Sequence, residues 1–180
     1  MILASIHPGL TLSQFEDDRS LAEDCRRFCL RTIRSTYGYD YRPEWHDDLD
    51  SLREPAACHY TASNRGVFFV LRDADGHVVG TAGVRGLRYK PDIAAMFARR
   101  YPDIDRVAFN GRLYVDPAWR KQGLGCTLIA LREEEARRLG YTTVYLHCDA
   151  KAERLRRYWL RQGFRLVAAD DAVAHYDKPL

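Results

Sequence analysis

The residues best suited to chemistry concentrate in one short run, Arg120-Lys121-Gln122-Gly123-Leu124-Gly125-Cys126. Glycine lacks a Cβ, so the paired glycines let the backbone turn sharply and approach a ligand closely. A helix that begins there has first-turn amides with no intrahelical partner, pointing outward. With the helix dipole they favour an anion such as a pyrophosphate. Arg120 and Lys121 add positive charge beside it. A plain glycine-containing connector with two exposed basic residues has the same composition, so the run alone leaves both readings open. Two other phosphate loops are excluded. No G-x-x-x-x-G-K-[ST] occurs, and a G-x-G-x-x-G fails because residue 128 is leucine.

Cysteine and metal chemistry find less support. Cys25, Cys29, Cys58, Cys126 and Cys148 are odd in number and irregular in spacing, which argues against a disulfide framework. Cys25 and Cys29 lie one helical turn apart and read as two thiols in a buried stripe. The 6 histidines form no HExxH and the chain has no paired CxxC, so no structural or catalytic metal is expected.

The elements that must position the glycine run follow from periodicity. A short strand is expected over Leu3–Ile6, ended by "HPG". Leu21, Cys25, Phe28, Cys29, Thr32 and Ile33 recur at helical spacing until Gly38, and Pro43 opens a second, short helix. "GVFFVLR" and "HVVGTAGVRGL" read as strands joined by the turn "DADG". Residues 88–106 form a connection with a helical turn inside it. "VAFNGRLYV" is a long strand and "DPAWRKQG" the loop after it. Leu124–Leu139 is then a helix, with Leu124, Leu128, Leu131 and Leu139 on its buried face and Gly140 past its end. "YTTVYLHCD" is a strand, "AKAERLRRYWLRQ" a helix closed by Gly163, and "FRLVAA" and "AVAHYDKPL" are the last strands. The pattern predicts one mixed α/β domain over residues 1–180, a largely antiparallel sheet flanked by helices.

Bulk properties narrow the partners. The formal net charge of +3, from 28 basic and 25 acidic residues, is too mild to argue for nucleic acid. No apolar run approaches the roughly 20 residues that span a bilayer, and the N-terminus lacks a basic n-region, so the expected compartment is the cytoplasm. Charge is uneven: residues 40–54 are acidic and 154–165 basic. That split suits one cationic and one anionic partner, or two solvated helix faces.

"LYVDPAWRKQGLGCTLI", the helix after it, and "YWLRQGF" together resemble the GNAT superfamily of acetyl-CoA-dependent N-acetyltransferases. The resemblance covers residues 66–180 well and residues 1–65 only in general plan. It implies a GNAT-like acyltransferase fold, with an acetyl-CoA-binding core over 66–180 and an N-terminal helical region over 1–65. It implies that the amides of Gln122, Gly123, Leu124, Gly125 and Cys126 hold the coenzyme pyrophosphate, with Arg120 and Lys121 beside it. It implies that Leu113, Tyr114 and Val115 splay from the next strand and pair with the pantetheine arm. The second substrate is then an amine of a small molecule, peptide or protein, attacked directly in a ternary complex. "STYGYDYRPEWHDDLD" is the candidate acceptor lid, or a solvated acidic helix. Family members are often dimers, so a homodimer is one expectation.

Two catalytic positions depart from the family pattern. Many members carry Glu on the central strand a few residues before the "LYV" element, where this chain has "VAFNGR", with Phe109 and no acid, and Tyr five residues before the closing Phe, where this chain has Trp159. Asp105 and Asp116 flank the strand as water-mediated base candidates or as solvated turn residues. Tyr158, one residue earlier than Trp159, either protonates the departing thiolate as general acid or only packs. Cys126 and Cys148 read as structural. These gaps keep open a second class, a non-catalytic acetyl-CoA sensor.

Overall fold

A computed structural model describes residues 2–16 and 18–180, with side chains from His7 onward. The chain opens with a hairpin, β1 (Ile2–His7) and β2 (Leu10–Gln14), turned at Gly9 with φ +80°. Periodicity predicts the first of these strands and misses the second, because β2 offers only Leu10 and Leu12 as alternating apolar positions. Helix α1 (Arg19–Tyr37) starts at Asp18, whose carboxylate accepts the amides of Ser20 and Leu21, and ends at Gly38 in the left-handed conformation. Its inward stripe holds Ala22, Cys25, Phe28, Cys29, Thr32 and Ile33, so Cys25 and Cys29 are core thiols. Helix α2 (Pro43–Ser51) opens on Pro43.

Strands β3 (Val67–Arg72) and β4 (Val78–Gly86) form the expected hairpin. The following connection contains α3 (Pro91–Met96). Then come β5 (Val107–Val115), α4 (Leu124–Arg138), β6 (Thr143–Asp149), α5 (Glu153–Arg161), β7 (Arg165–Ala169) and β8 (Val173–Pro179). The eight strands make one sheet in the order β1-β2-β3-β4-β5-β6-β8-β7. Every pairing is antiparallel except β5 with β6.

Alternate residues of each strand feed opposite cores. Val67, Phe69 and Leu71 of β3 pack with α4 and α5. Phe68 and Val70 pack with α1 and α2. A third cluster, Leu87, Phe97, Tyr101, Val107, Phe109 and Tyr145, closes the sheet beyond α3. On α4, Leu124 and Leu128 are buried as expected, but Leu131 and Leu139 are only partly so. Ile129, Arg132, Glu133 and Ala136 complete the inward face. No helix among the described residues is long and apolar enough to cross a membrane.

Candidate active site

The sheet splits between its two parallel strands. β5 and β6 pair only at Val107↔Thr143, Ala108↔Val144 and Phe109↔Tyr145. Beyond that point β5 stays with β4 as far as Val115↔Gly80, and β6 stays with β8 as far as Asp149↔Val173. The two halves diverge into a wedge, and the inner edge of β5 from Asn110 to Val115 has no partner on β6. An unpaired strand edge is a template for an extended, amide-bearing ligand.

A bulge shapes that edge. Between the rungs Thr81↔Tyr114 and Gly83↔Gly111, β5 takes one more residue than β4. Arg112 there has φ +55°, a left-handed conformation uncommon outside glycine. Three contacts hold it. Thr81 Oγ1 donates to the Arg112 carbonyl at 2.9 Å. The Arg112 guanidinium donates to both oxygens of Asp48, from Nε at 2.8 Å and Nη2 at 2.5 Å. Nη2 also reaches the Trp45 carbonyl at 2.8 Å. Tyr60 Oη donates to Asp48 Oδ2 at 2.5 Å, and buried Arg85 lies 3.7 Å from its Oδ1. Burial alone would raise the Asp48 carboxyl, but Arg112 and Arg85 outweigh it and hold Asp48 well below the usual carboxylate range.

Three acids of the stretch, Asp47, Asp48 and Asp50, are engaged by protein cations, while Asp40, Glu44 and Glu54 are exposed. Asp48 is 1% exposed and fully engaged. Asp47 faces Lys90 at 3.1 Å and Arg85 at 3.4 Å. Asp50 accepts from Arg26 at 2.9 Å and from the Tyr41 hydroxyl. The large hydrophobic residues exposed between the end of α1 and the start of α2 are Tyr37, Tyr41 and Trp45, with Asp40 and Glu44 exposed among them.

The glycine run sits at the mouth of the wedge. Gly123 begins α4 with φ +80°, and no side chain caps the helix, so its first amides are free. Lys121 also has positive φ, +65°. Arg120, Lys121, Gln122 and Cys126 are exposed, while Leu124 is buried. Arg120 Nε donates to the Val115 carbonyl at 2.8 Å, which ties the loop to the end of β5. Leu113 and Val115 pack toward α4, and Tyr114 toward α1. A Cβ on Gly125 would stand 3.0 Å from Tyr158 Oη, so only glycine leaves that cradle open.

Tyr158 thus lies against the first turn of α4. It is partly buried and stacks edge-on with Trp159 at 5.2 Å. Burial, then its contact with Cys126, pushes its phenol up to about 12. Trp159 is buried with its indole nitrogen unpartnered. Asp116 and Asp105 behave as turn residues: the Asp116 carboxylate accepts the Ala118 amide, and Asp105 pairs with Arg88 at 3.1 Å.

Sequence reasoning missed a histidine. His147 stands two residues beyond the last β5–β6 rung, with its ring 5.4 Å from that of Phe109. Tyr145 Oη lies 3.4 Å from its Nδ1 and 2.6 Å from Nδ1 of His175. The residue is exposed at the wedge, with Phe109, Tyr145 and His175 beside its ring. Desolvation, followed by His175, Lys90, Arg112 and Arg85, pulls its imidazole down to about 4. The signal was a polar residue among the apolar ones of "TVYLHCD", with nothing in the spacing to mark its use.

A free-edged wedge opening onto an uncapped, glycine-lined helix start fits a coenzyme with a pyrophosphate and an extended amide arm. Fold and site together define the acyl-CoA acyltransferase class. The chain belongs to the acetyltransferase (GNAT) family, whose model matches residues 29–164. An acetyltransferase from Streptococcus agalactiae 2603 superposes with a TM-score of 0.74 at 17% identity, over 97% of this chain and 100% of that one. A GNAT-family acetyltransferase from Staphylococcus aureus Mu50 gives 0.70 at 17%, over 94% and 99%. The PaiA N-acetyltransferase from Thermoplasma acidophilum, solved in complex with coenzyme A, gives 0.64 at 15%, over 94% and 99%. The comparison with curated proteins gives no match.

Proposed function

We propose that the protein is an N-acetyltransferase that moves the acetyl group of acetyl-CoA onto an amine by direct attack in a ternary complex. The carrying observation is that the β5–β6 wedge opens onto the uncapped, glycine-lined start of α4. In this reading the amides of Gln122 to Cys126 hold the pyrophosphate. Lys121 adds charge, and Arg120 keeps the loop on β5 through the Val115 carbonyl. The free edge of Leu113, Tyr114 and Val115 orients the arm. The coenzyme, when bound, supplies an acyl thioester whose carbonyl carbon forms a C–N bond with the amine as its C–S bond breaks.

The chain's own residues manage the protons. Phe109 leaves the central strand without an acid, and His147 faces it from β6. Its neutral ring accepts a hydrogen bond, then a proton, from the amine. Lys90, Arg112 and Arg85 disfavour an ammonium ion at the same place. On the other side Tyr158 keeps its proton at neutral pH and donates it from Oη to the departing thiolate. Exposed Tyr37, Tyr41 and Trp45 give the acceptor an aromatic wall.

A second reading is a non-catalytic acetyl-CoA sensor, favoured by Phe109 and Trp159 standing where family members carry acid and phenol. A thiol-release assay over an amine panel, run beside coenzyme calorimetry, separates the two. The enzyme reading expects release with at least one amine. Stoichiometric binding with no release from any amine favours the sensor, and absent binding overturns both.

A further inference from the structure

The wedge closes at a vertex, and the vertex is polar. Asn110 is the first residue of β5 past its last rung with β6. Four buried polar atoms there have no partner: Oδ1 and Nδ2 of Asn110, and Nε and Nη2 of Arg132. Asn110 is 5% exposed and Arg132 0%. Asn110 shares a face of β5 with Ala108, which packs against α4. Arg132 lies on the inward stripe of α4, and its Nη1 reaches the carbonyl of Gly111 at 3.4 Å.

Depth in the wedge follows from topology. α4 leaves the end of β5 and returns to the start of parallel β6, so it runs from the mouth of the wedge toward its vertex. Arg132 stands eight residues past Leu124, about 12 Å along the axis. An arm that enters from the α4 start points its acyl end toward this depth.

Arg132 differs from the other buried arginines. Arg112 and Arg85 each face Asp48 or Asp47. Arg132 has no ion pair among the described residues. Glu133 beside it is taken by Lys178 Nζ, at 2.7 and 2.8 Å. Burial pulls the Arg132 guanidinium down to about 10, still charged at neutral pH. A buried cation whose neighbouring carboxylate is held by another cation is costly. A carboxylate would satisfy it through two parallel N–H donors, and Asn110 Nδ2 offers a third.

We propose that Asn110 and Arg132 form a subsite for a carboxylate at the end of the acyl group. Beyond the acetyl donor, the protein accepts, and binds more tightly, CoA esters of short dicarboxylic acids of the malonyl or succinyl type. The inference rests on the coenzyme reading above and refines the donor within it.

Calorimetry with acetyl-CoA, malonyl-CoA and succinyl-CoA tests it. At least one dicarboxylic ester should bind the parent about tenfold more tightly than acetyl-CoA, a difference near 1.4 kcal/mol. Arg132→Met should bring the esters to parity while its thermal midpoint without ligand stays level or rises, because an unpaired buried charge is gone. Asn110→Leu makes the same comparison should Arg132→Met not fold. Equal affinity of the parent for all three esters, or a preference that survives Arg132→Met, would overturn the subsite. Absence of binding by any ester overturns the coenzyme reading and this inference with it.

Discussion

In the proposed reaction Tyr158 and His147 carry the two proton transfers, and each has its own signature. Tyr158→Phe removes a hydroxyl and keeps the ring that stacks on Trp159. If the phenol protonates the thiolate, kcat should fall by about 10²–10⁴-fold with coenzyme affinity nearly unchanged. A kcat within a few-fold of the parent assigns Tyr158 to packing. In its proposed role His147 acts only when neutral, and its surroundings lower its pKa below the ordinary 6.5. The acid limb of kcat should therefore lie below pH 6.5, and His147→Gln should abolish that limb with a loss of about 10²-fold or more. A limb that His147→Gln leaves in place would remove His147 from the chemistry. Neither role was fully legible in the chain. Tyr158 stood out through its place before the closing glycine and Phe164. His147 gains its proposed use only because β5 and β6 diverge just before it.

Between elements, the bond that matters most joins α2 to the bulge of β5. Asp48 holds Arg112 in its left-handed conformation and thereby sets the edge from Leu113 to Val115. Asp48→Asn leaves Arg112 and Arg85 buried without their carboxylate, and should cost about 3–5 kcal/mol of stability. The folded carboxyl sits below its ordinary 3.8, so its contribution is present above about pH 4 and lost as pH falls toward the folded value. Denaturant melts of parent and variant should differ most at neutral pH and converge in acid. A constant gap would mean that Asp48 acts by shape alone. Nothing local in "EWHDDLD" distinguishes Asp48 from Asp47. The distinction comes from an arginine 64 residues away, beyond the reach of periodicity. Arg132 escaped for a related reason: it occupies the inward stripe of α4 with Leu128, Ile129 and Ala136, where binary patterning expects an apolar residue. By contrast α1, α2, the β3–β4 hairpin and the ends of α4 followed from caps, turns and glycines that act within a few residues.

Across the whole molecule, the order of elements was readable and the arrangement was not. β8 inserts between β6 and β7, a long-range pairing without local signal. Four histidines, His46, His59, His147 and His175, all have lowered pKa values, with burial the first cause in each. The unfolded chain thus binds more protons than the folded one below pH 6.5, and stability should fall as pH drops from about 6.5 toward 4. A thermal midpoint that stays flat over that window would contradict this. The central claim is that the start of α4 holds an acyl-CoA whose arm enters the β5–β6 wedge. The direct measurement is calorimetric titration of acetyl-CoA into the parent, Gly125→Asp, and Gly125→Asp with Tyr158→Phe. The double variant relieves the 3.0 Å contact with the phenol oxygen and leaves the added carboxylate side chain with its negative charge. One equivalent should bind the parent, and neither folded variant should bind. Unchanged affinity in the folded double variant would contradict the account.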